Sequence, residues 1–204
     1  MTKQELALKL FEIGAVRFGE FTLVSGIVSP IYLDLKMSLS FPDILKAISE
    51  HMYEEVAHLS YDLICGVPYT ALPFATVISI LHNKPMILRR KEKKEYGLKK
   101  LIEGKYENGQ TVLVIEDLVT SGTSVFETIS PLEEAGLTVT DIVVLVDREQ
   151  GGKENLEKKG YSLHAVMTIS EILESLKEAQ KLDTKIITKV KQFLKEHQVN
   201  PVQR

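Results

Sequence analysis

The stretch Thr111–Ser124 reads TVLVIEDLVTSGTS. Its first five residues, Thr111–Ile115, are apolar and β-branched, the pattern of a strand covered on both faces. Two carboxylates, Glu116 and Asp117, end that strand. A hydroxyl- and glycine-rich turn, Thr120-Ser121-Gly122-Thr123-Ser124, then opens a helix expected over 122–135. Backbone N–H groups at a helix start, with a glycine permitting close approach, form a phosphate cradle. The hydroxyls of Thr120, Ser121, Thr123 and Ser124 add donors. The two acids would repel that phosphate, so they should face sugar hydroxyls or a metal instead. A ribose 5-phosphate satisfies both halves at once. The run lacks the lysine of G-x-x-x-x-G-K-[ST] and the G-x-G-x-x-G dinucleotide pattern. A strand end followed by an ordinary Ser/Thr helix cap is the plainer alternative.

Working outward, short apolar strands alternate with helices of about ten residues, the rhythm of a parallel sheet covered on both faces. Strands are expected at Tyr61–Gly66, Pro85–Leu88, Val139–Val146 and Tyr161–Met167, with helices over 71–82 and Lys153–Lys159. Ser130-Pro131 should kink or split the helix after the turn. Upstream, Thr2 and Glu5 spell a capping box, and Gly14 stands where a left-handed cap would stop the first helix. Phe18–Leu35 is rich in aromatic and β-branched residues and broken at Ser25-Gly26 and Ser29-Pro30, a pattern of short antiparallel strands. Ser40 is the expected cap of a helix over 42–58 that tolerates Pro42 in its first turn. Two amphipathic helices close the chain, the last capped by Asp183 with Ile186, Ile187, Val190, Phe193 and Leu194 on one face. One unit over 1–204 is expected: an N-terminal flap at about 15–40, a core at about 41–170 and C-terminal helices at about 171–198.

The 204 residues are 44% hydrophobic and 26% charged, with 7 Pro and 12 Gly. That composition excludes disordered, collagenous and coiled-coil chains. The single cysteine, Cys65, excludes an intramolecular disulfide and any multi-cysteine metal site. The opening MTKQELALKLFEIG has no continuous apolar region of a secretory signal, and no apolar run is long enough to span a membrane. A soluble, cytoplasmic protein with no membrane partner is expected. Residues Arg89–Lys105 hold eight Lys/Arg against three Glu, on a chain whose net charge is −3. Such a block fits a small polyanionic ligand better than a nucleic acid, which needs a broader basic face. A solvated surface loop is the alternative. His51, His58, His82, His164 and His197 do not cluster with acids or with Cys65, so none is taken as a metal ligand.

The run VIEDLVTSGTS resembles the PRPP-binding motif of type I phosphoribosyltransferases. With FTLVSGIVSPIYLDL, CGVPYTALP, RRKEKKEYG and DREQGG in that order, the chain resembles the orotate phosphoribosyltransferase family, nearest to the transferase half of bifunctional UMP synthases. The resemblance implies a type I phosphoribosyltransferase fold: a doubly wound, mostly parallel α/β sheet with helices on both faces and a small N-terminal flap. It implies transfer of ribose 5-phosphate from PRPP to orotate, giving orotidine 5′-monophosphate and pyrophosphate through an oxocarbenium-like transition state.

By the same resemblance Lys94 and Asp117 are catalytic. Tyr69, Thr70, Arg90, Lys91, Lys94, Tyr96, Glu116, Asp117, Thr120, Ser121, Gly122, Thr123 and Ser124 bind PRPP. Ser25, Gly26, Tyr32, Leu33, Thr120 and Arg148 contact orotate. Mg²⁺ is the implied cofactor, carried on PRPP oxygens and water with no protein metal site. A homodimer is implied, with the 89–105 loop entering the neighbouring site and Gly97 and Gly104 letting it open and close. Three positions depart from the family's pattern. Val24 stands where most members have lysine, Thr70 where many bacterial members have lysine, and Tyr96 where histidine is common. Arg17 or Lys36 would be the compensating cation for Val24. No D-x-K-x-x-D run and no room for a barrel remain, so no decarboxylase domain is expected. Two rival functions stay open. A purine phosphoribosyltransferase would have no use for Arg148 as a carboxylate partner. A non-catalytic PRPP-sensing regulator should lack the loop lysines.

Overall fold

The computed structural model describes residues 1–23, 26–91 and 101–199. Helix α1 (Lys3–Glu12) starts at the Thr2–Glu5 capping box and ends before Gly14, whose φ is +74°. Strands β1 (Val16–Thr22) and β2 (Val28–Leu33) form a separate antiparallel hairpin. A 3-10 helix (Leu35–Ser40) leads into α2 (Pro42–Val56). Ser40 belongs to that 3-10 turn and does not cap α2; Phe41 holds the capping position, with no side-chain hydrogen bond.

Then come β3 (Leu63–Gly66), α3 (Ala71–His82), β4 (Met86–Arg89), β5 (Ile102–Glu103), β6 (Thr111–Val119), α4 (Thr123–Glu134), β7 (Thr138–Asp147), α5 (Gly152–Glu157), β8 (Ser162–Thr168), α6 (Ile169–Glu178) and α7 (Thr184–Glu196). Pro131 sits inside α4 without dividing it. In its last turn the missing N–H deprives one carbonyl of a partner, a smaller loss than in mid-helix.

The six-stranded sheet has the order β5-β4-β3-β6-β7-β8, all parallel except the edge pair β4–β5. Its centre is apolar: Val112, Leu113, Val114 and Ile115 on β6, and Ile142 through Val146 on β7, are buried. The chain winds one way from β3 to β4 and the other way from β6 to β8. Right-handed crossovers therefore put α3 on one face and α4 and α5 on the other. The reversal falls between β3 and β6, and in sheets of this topology ligands bind outside the carboxyl ends of the strands at that point.

Candidate functional site at the carboxyl edge of the sheet

Strand β6 is longer than its apolar run. It pairs with β7 through Glu116↔Val144, Leu118↔Val146 and Val119↔Asp147. The acidic pair therefore lies on the strand rather than beyond it, and adjacent residues there point to opposite faces. Glu116 is only 4% exposed. Its Oε1 accepts from the Asp117 N–H at 2.9 Å and its Oε2 from the Ser124 hydroxyl at 2.7 Å, which ties the strand to the first turn of α4. Burial, and next the neighbouring Asp117 charge, push its carboxyl well above the usual carboxylate range. Asp117 is half-buried, and its Oδ1 accepts from the Leu118 N–H at 2.9 Å.

The turn behind the acids is fixed locally. Gly122 precedes α4 with φ +88°, where a side chain is strained, and a Cβ there would also press on Phe126 at 3.3 Å. The Ser121 and Thr123 hydroxyls share a 2.8 Å hydrogen bond, and the Ser121 Oγ accepts from the Thr123 N–H at 3.3 Å. Among the described residues no acceptor takes the N–H of Ser121, Gly122 or Ser124. Free N–H groups at a helix start, at the positive end of its dipole, are an anion site.

Three other loops share this edge. After β3, the Val67 N–H donates to the Ile115 carbonyl at 2.8 Å, and the chain passes a cis Pro68–Tyr69 peptide into Thr70 at the start of α3. Gly66 makes that turn possible, because a Cβ would meet the Ala71 carbonyl oxygen at 2.9 Å. After β4, Arg90 donates to Glu103 on β5 at 3.1 Å, while the Nε atoms of Arg89 and Arg90 are buried with no hydrogen-bond partner among the described residues. The Lys91 ammonium lies 5.6 Å from the centre of the Tyr69 ring, so the basic block and the β3 loop meet. After β7, the Arg148 N–H donates to the Val119 carbonyl at 3.0 Å. Among the described residues the buried Arg148 Nε has no hydrogen-bond partner, and burial lowers the guanidinium pKa from its ordinary value. Asp147 beside it is raised, first by burial, and its Oδ1 accepts from the Glu149 N–H at 2.8 Å.

Tyr69, Thr70, Arg90, Lys91, Glu116, Asp117, Thr120 through Ser124 and Arg148 thus gather at one edge. Gly26, Tyr32 and Leu33 lie on the hairpin segment. Tyr32 packs on Phe21 with ring centres 5.4 Å apart and under Arg17 at 5.1 Å. Arg17 and Lys36, the cations expected to compensate for Val24, both approach Asp34, at 3.9 and 4.0 Å. Among the described residues no hydrogen bond, ion pair or ring contact joins the hairpin to Thr120, Ser121 or Arg148. Val24, Ser25, Lys94, Tyr96 and Gly97 lie outside the described residues. Sequence reasoning missed the loop after Arg148: Gly152 packs so closely that a Cβ would meet the Thr120 carbonyl oxygen at 2.8 Å. The paired glycines of DREQGG were the available signal, since adjacent glycines mark close backbone approach. No group of three or more His, Cys, Asp or Glu among the described residues is placed to hold a metal. No helix of the described residues is long and apolar enough to cross a membrane.

Residues 35–172 match the family model of the phosphoribosyl transferase domain. The uridine 5′-monophosphate synthase of Bos taurus is 48% identical over 194 residues, which is 94% of this chain and 40% of that protein. An orotate phosphoribosyltransferase of Caenorhabditis elegans is 43% identical over 169 residues, covering 82% of this chain and 74% of that one. The crystal structure of orotate phosphoribosyltransferase from Aeropyrum pernix superposes with a TM-score of 0.75 at 33% identity, over 85% of this chain and 98% of the other. The chain therefore spans about two fifths of the bovine synthase but nearly all of the Aeropyrum pernix protein. Sheet order, the anion turn after β6 and these likenesses agree, and the chain belongs to the phosphoribosyltransferase family, among the orotate phosphoribosyltransferases.

Proposed function

We propose that the chain transfers the 5-phosphoribosyl group of PRPP to a ring nitrogen of orotate. The bond from C1 of the ribose to pyrophosphate breaks, the bond from C1 to nitrogen forms, and orotidine 5′-monophosphate leaves as a precursor of UMP. One observation carries this reading: the turn with free N–H groups after β6 and Arg148, whose Nε is buried with no hydrogen-bond partner among the described residues, stand at the same carboxyl edge of the sheet. The N–H groups and hydroxyls of Ser121–Ser124 suit the 5′-phosphate, with Asp117 toward the ribose hydroxyls and Glu116 bracing the turn from behind. A planar guanidinium such as Arg148 suits the orotate carboxylate, a group that an oxopurine lacks. Thr120 is assigned to an orotate carbonyl, with Ser25, Gly26, Tyr32 and Leu33 covering the base.

Negative charge grows on the departing pyrophosphate while positive charge grows at C1. Groups that bind that distribution more tightly than the ground state accelerate the step. Tyr69, Thr70 and the loop amides are assigned to the pyrophosphate, with Arg90, Lys91, Lys94 and Tyr96 supplying donors and charge. Lys94 is the proposed catalytic cation. Mg²⁺ neutralises phosphate charge when bound. A half-buried Asp117 and neighbouring hydroxyls, with no three-residue cage among the described groups, fit an ion held mostly by substrate oxygens and water.

A homodimer is part of the proposal, with residues 89–105 reaching the neighbouring site. The end of α3 supports it: Ile80 is 75% exposed, and Leu81 beside it is exposed as well. Neighbouring exposed apolar side chains are surface that a second copy can cover. The chain is taken as one transferase unit of the cytoplasm, from flap to C-terminal helices. The test is the loss of orotate absorbance on mixing with PRPP and Mg²⁺. Turnover of hypoxanthine with none of orotate would overturn the assignment.

A further inference from the structure

The segment after α7 returns to the site. His197, Gln198 and Val199 lie along the loop that follows Arg148, fastened by three hydrogen bonds. Gln150 Nε2 donates to the His197 carbonyl at 2.9 Å, the Val199 N–H donates to the Gln150 carbonyl at 2.8 Å, and Gln198 Nε2 donates to the Glu149 carbonyl at 2.8 Å. Gly151, with φ +96°, lies so close beneath the strap that a Cβ would stand 2.7 Å from the Val199 carbonyl oxygen. Asn155 on α5, 4% exposed, connects this strap to the anion turn. Its Nδ2 donates to the Ser121 carbonyl at 3.1 Å, with a longer 3.5 Å contact to the Val199 carbonyl. One amide nitrogen carries two hydrogens, so both carbonyls can be served together.

The consequence follows from peptide geometry. In a planar trans peptide the carbonyl and the next N–H point in opposite directions. Holding the Ser121 carbonyl toward Asn155 therefore aims the Gly122 N–H the other way, away from the Asn155 side chain, at the start of α4. We propose that Asn155, held from behind by the His197–Val199 strap, is a positioning residue for the phosphate of PRPP. It touches no substrate and acts by fixing the peptide that donates. This inference rests on the phosphate turn assigned above. It adds that the turn's affinity depends on a side chain 34 residues beyond Ser121 and on the tail behind it.

The test measures binding of ribose 5-phosphate, and the KM values for PRPP and orotate, in the wild-type chain, Asn155→Ala and Gly151→Ala. Losing a buried donor should weaken ribose 5-phosphate binding and raise the PRPP KM about tenfold in Asn155→Ala, with the orotate KM within about twofold. Gly151→Ala unseats the strap and leaves every residue of the turn in place. It should move the same two constants in the same direction by about threefold, since the close carbonyl acts on the strap and the strain at positive φ falls on Gly151, whose carbonyl accepts from the Asn155 N–H at 3.0 Å. Folded variants that bind ribose 5-phosphate as the wild type does would overturn the proposal, as would equal rises in both KM values. A wild-type chain that neither binds ribose 5-phosphate nor consumes orotate would instead overturn the functional reading beneath it.

Discussion

The two ends of the proposed substrate meet very different parts of the molecule. At the sugar-phosphate end, the carboxyl edge of β6 is built on strands whose central apolar residues are buried, and its polar groups already hold one another: Glu116 with Ser124, Ser121 with Thr123, Asn155 with Ser121. At the base end, the β1–β2 hairpin is a two-stranded sheet of its own, with Val28 54% and Tyr32 36% exposed and Ile27 uncovered beside them. An isolated hairpin is marginal alone and depends on what packs against it. The proposed phosphate site is thus preorganised, whereas the proposed base site keeps apolar surface that a planar ring can cover. Preorganisation matters most where charge must be met without rearrangement.

The largest expected effect belongs to neither half. Lys94→Ala should lower kcat about a hundredfold or more, because it removes charge that matters as pyrophosphate departs. PRPP binding should weaken far less, and an equal loss of affinity with unchanged kcat would contradict its role. Arg148→Gln should separate the halves: the orotate KM rises about tenfold or more on loss of a charge-assisted pair, and PRPP binding stays within about twofold. A rise confined to PRPP would reverse the assignment. Tyr32→Ala should raise the orotate KM only about threefold, since it removes part of an apolar cover rather than a buried charge.

The smallest effect concerns the brace. Glu116 has its pKa raised above 4.5 in the folded chain, so above that pH the folded state holds a proton the unfolded state has released. Its contribution is then fully present below about 4.5 and is lost as pH climbs through the raised folded value. Glu116→Gln removes this titration. Its thermal midpoint relative to wild type should be higher at about pH 8 than at about pH 5, and a parallel pair of pH curves would contradict it.

What the sequence reveals of this design follows the range of the interactions involved. The Thr2–Glu5 box, the Gly14 stop and the Asp183 cap, which accepts from the Lys185 N–H at 2.7 Å, are set within a few residues and are readable. So is the apolar face of α7, where Ile187, Val190, Phe193 and Leu194 are buried. The end of β6 is not, because Glu116 and Asp117 are poor strand formers and only pairing with β7 carries the strand past them. Ser40 has the chemistry of a cap, but the 3-10 turn claims it. Strand β5 is two residues long and exists only through β4. In the site, the anion turn and Arg148 are legible as local motifs. The Asn155 bridge is not, since it joins residues 34 and 44 positions apart that only the folded sheet brings together.

The most direct test is a crystal of this chain soaked with PRPP and Mg²⁺. The 5′-phosphate should sit on the N–H groups of Ser121, Gly122 and Ser124, with the diphosphate toward Tyr69 and Lys91. An empty turn with PRPP bound elsewhere would contradict the reading of the site and of every residue assigned around it.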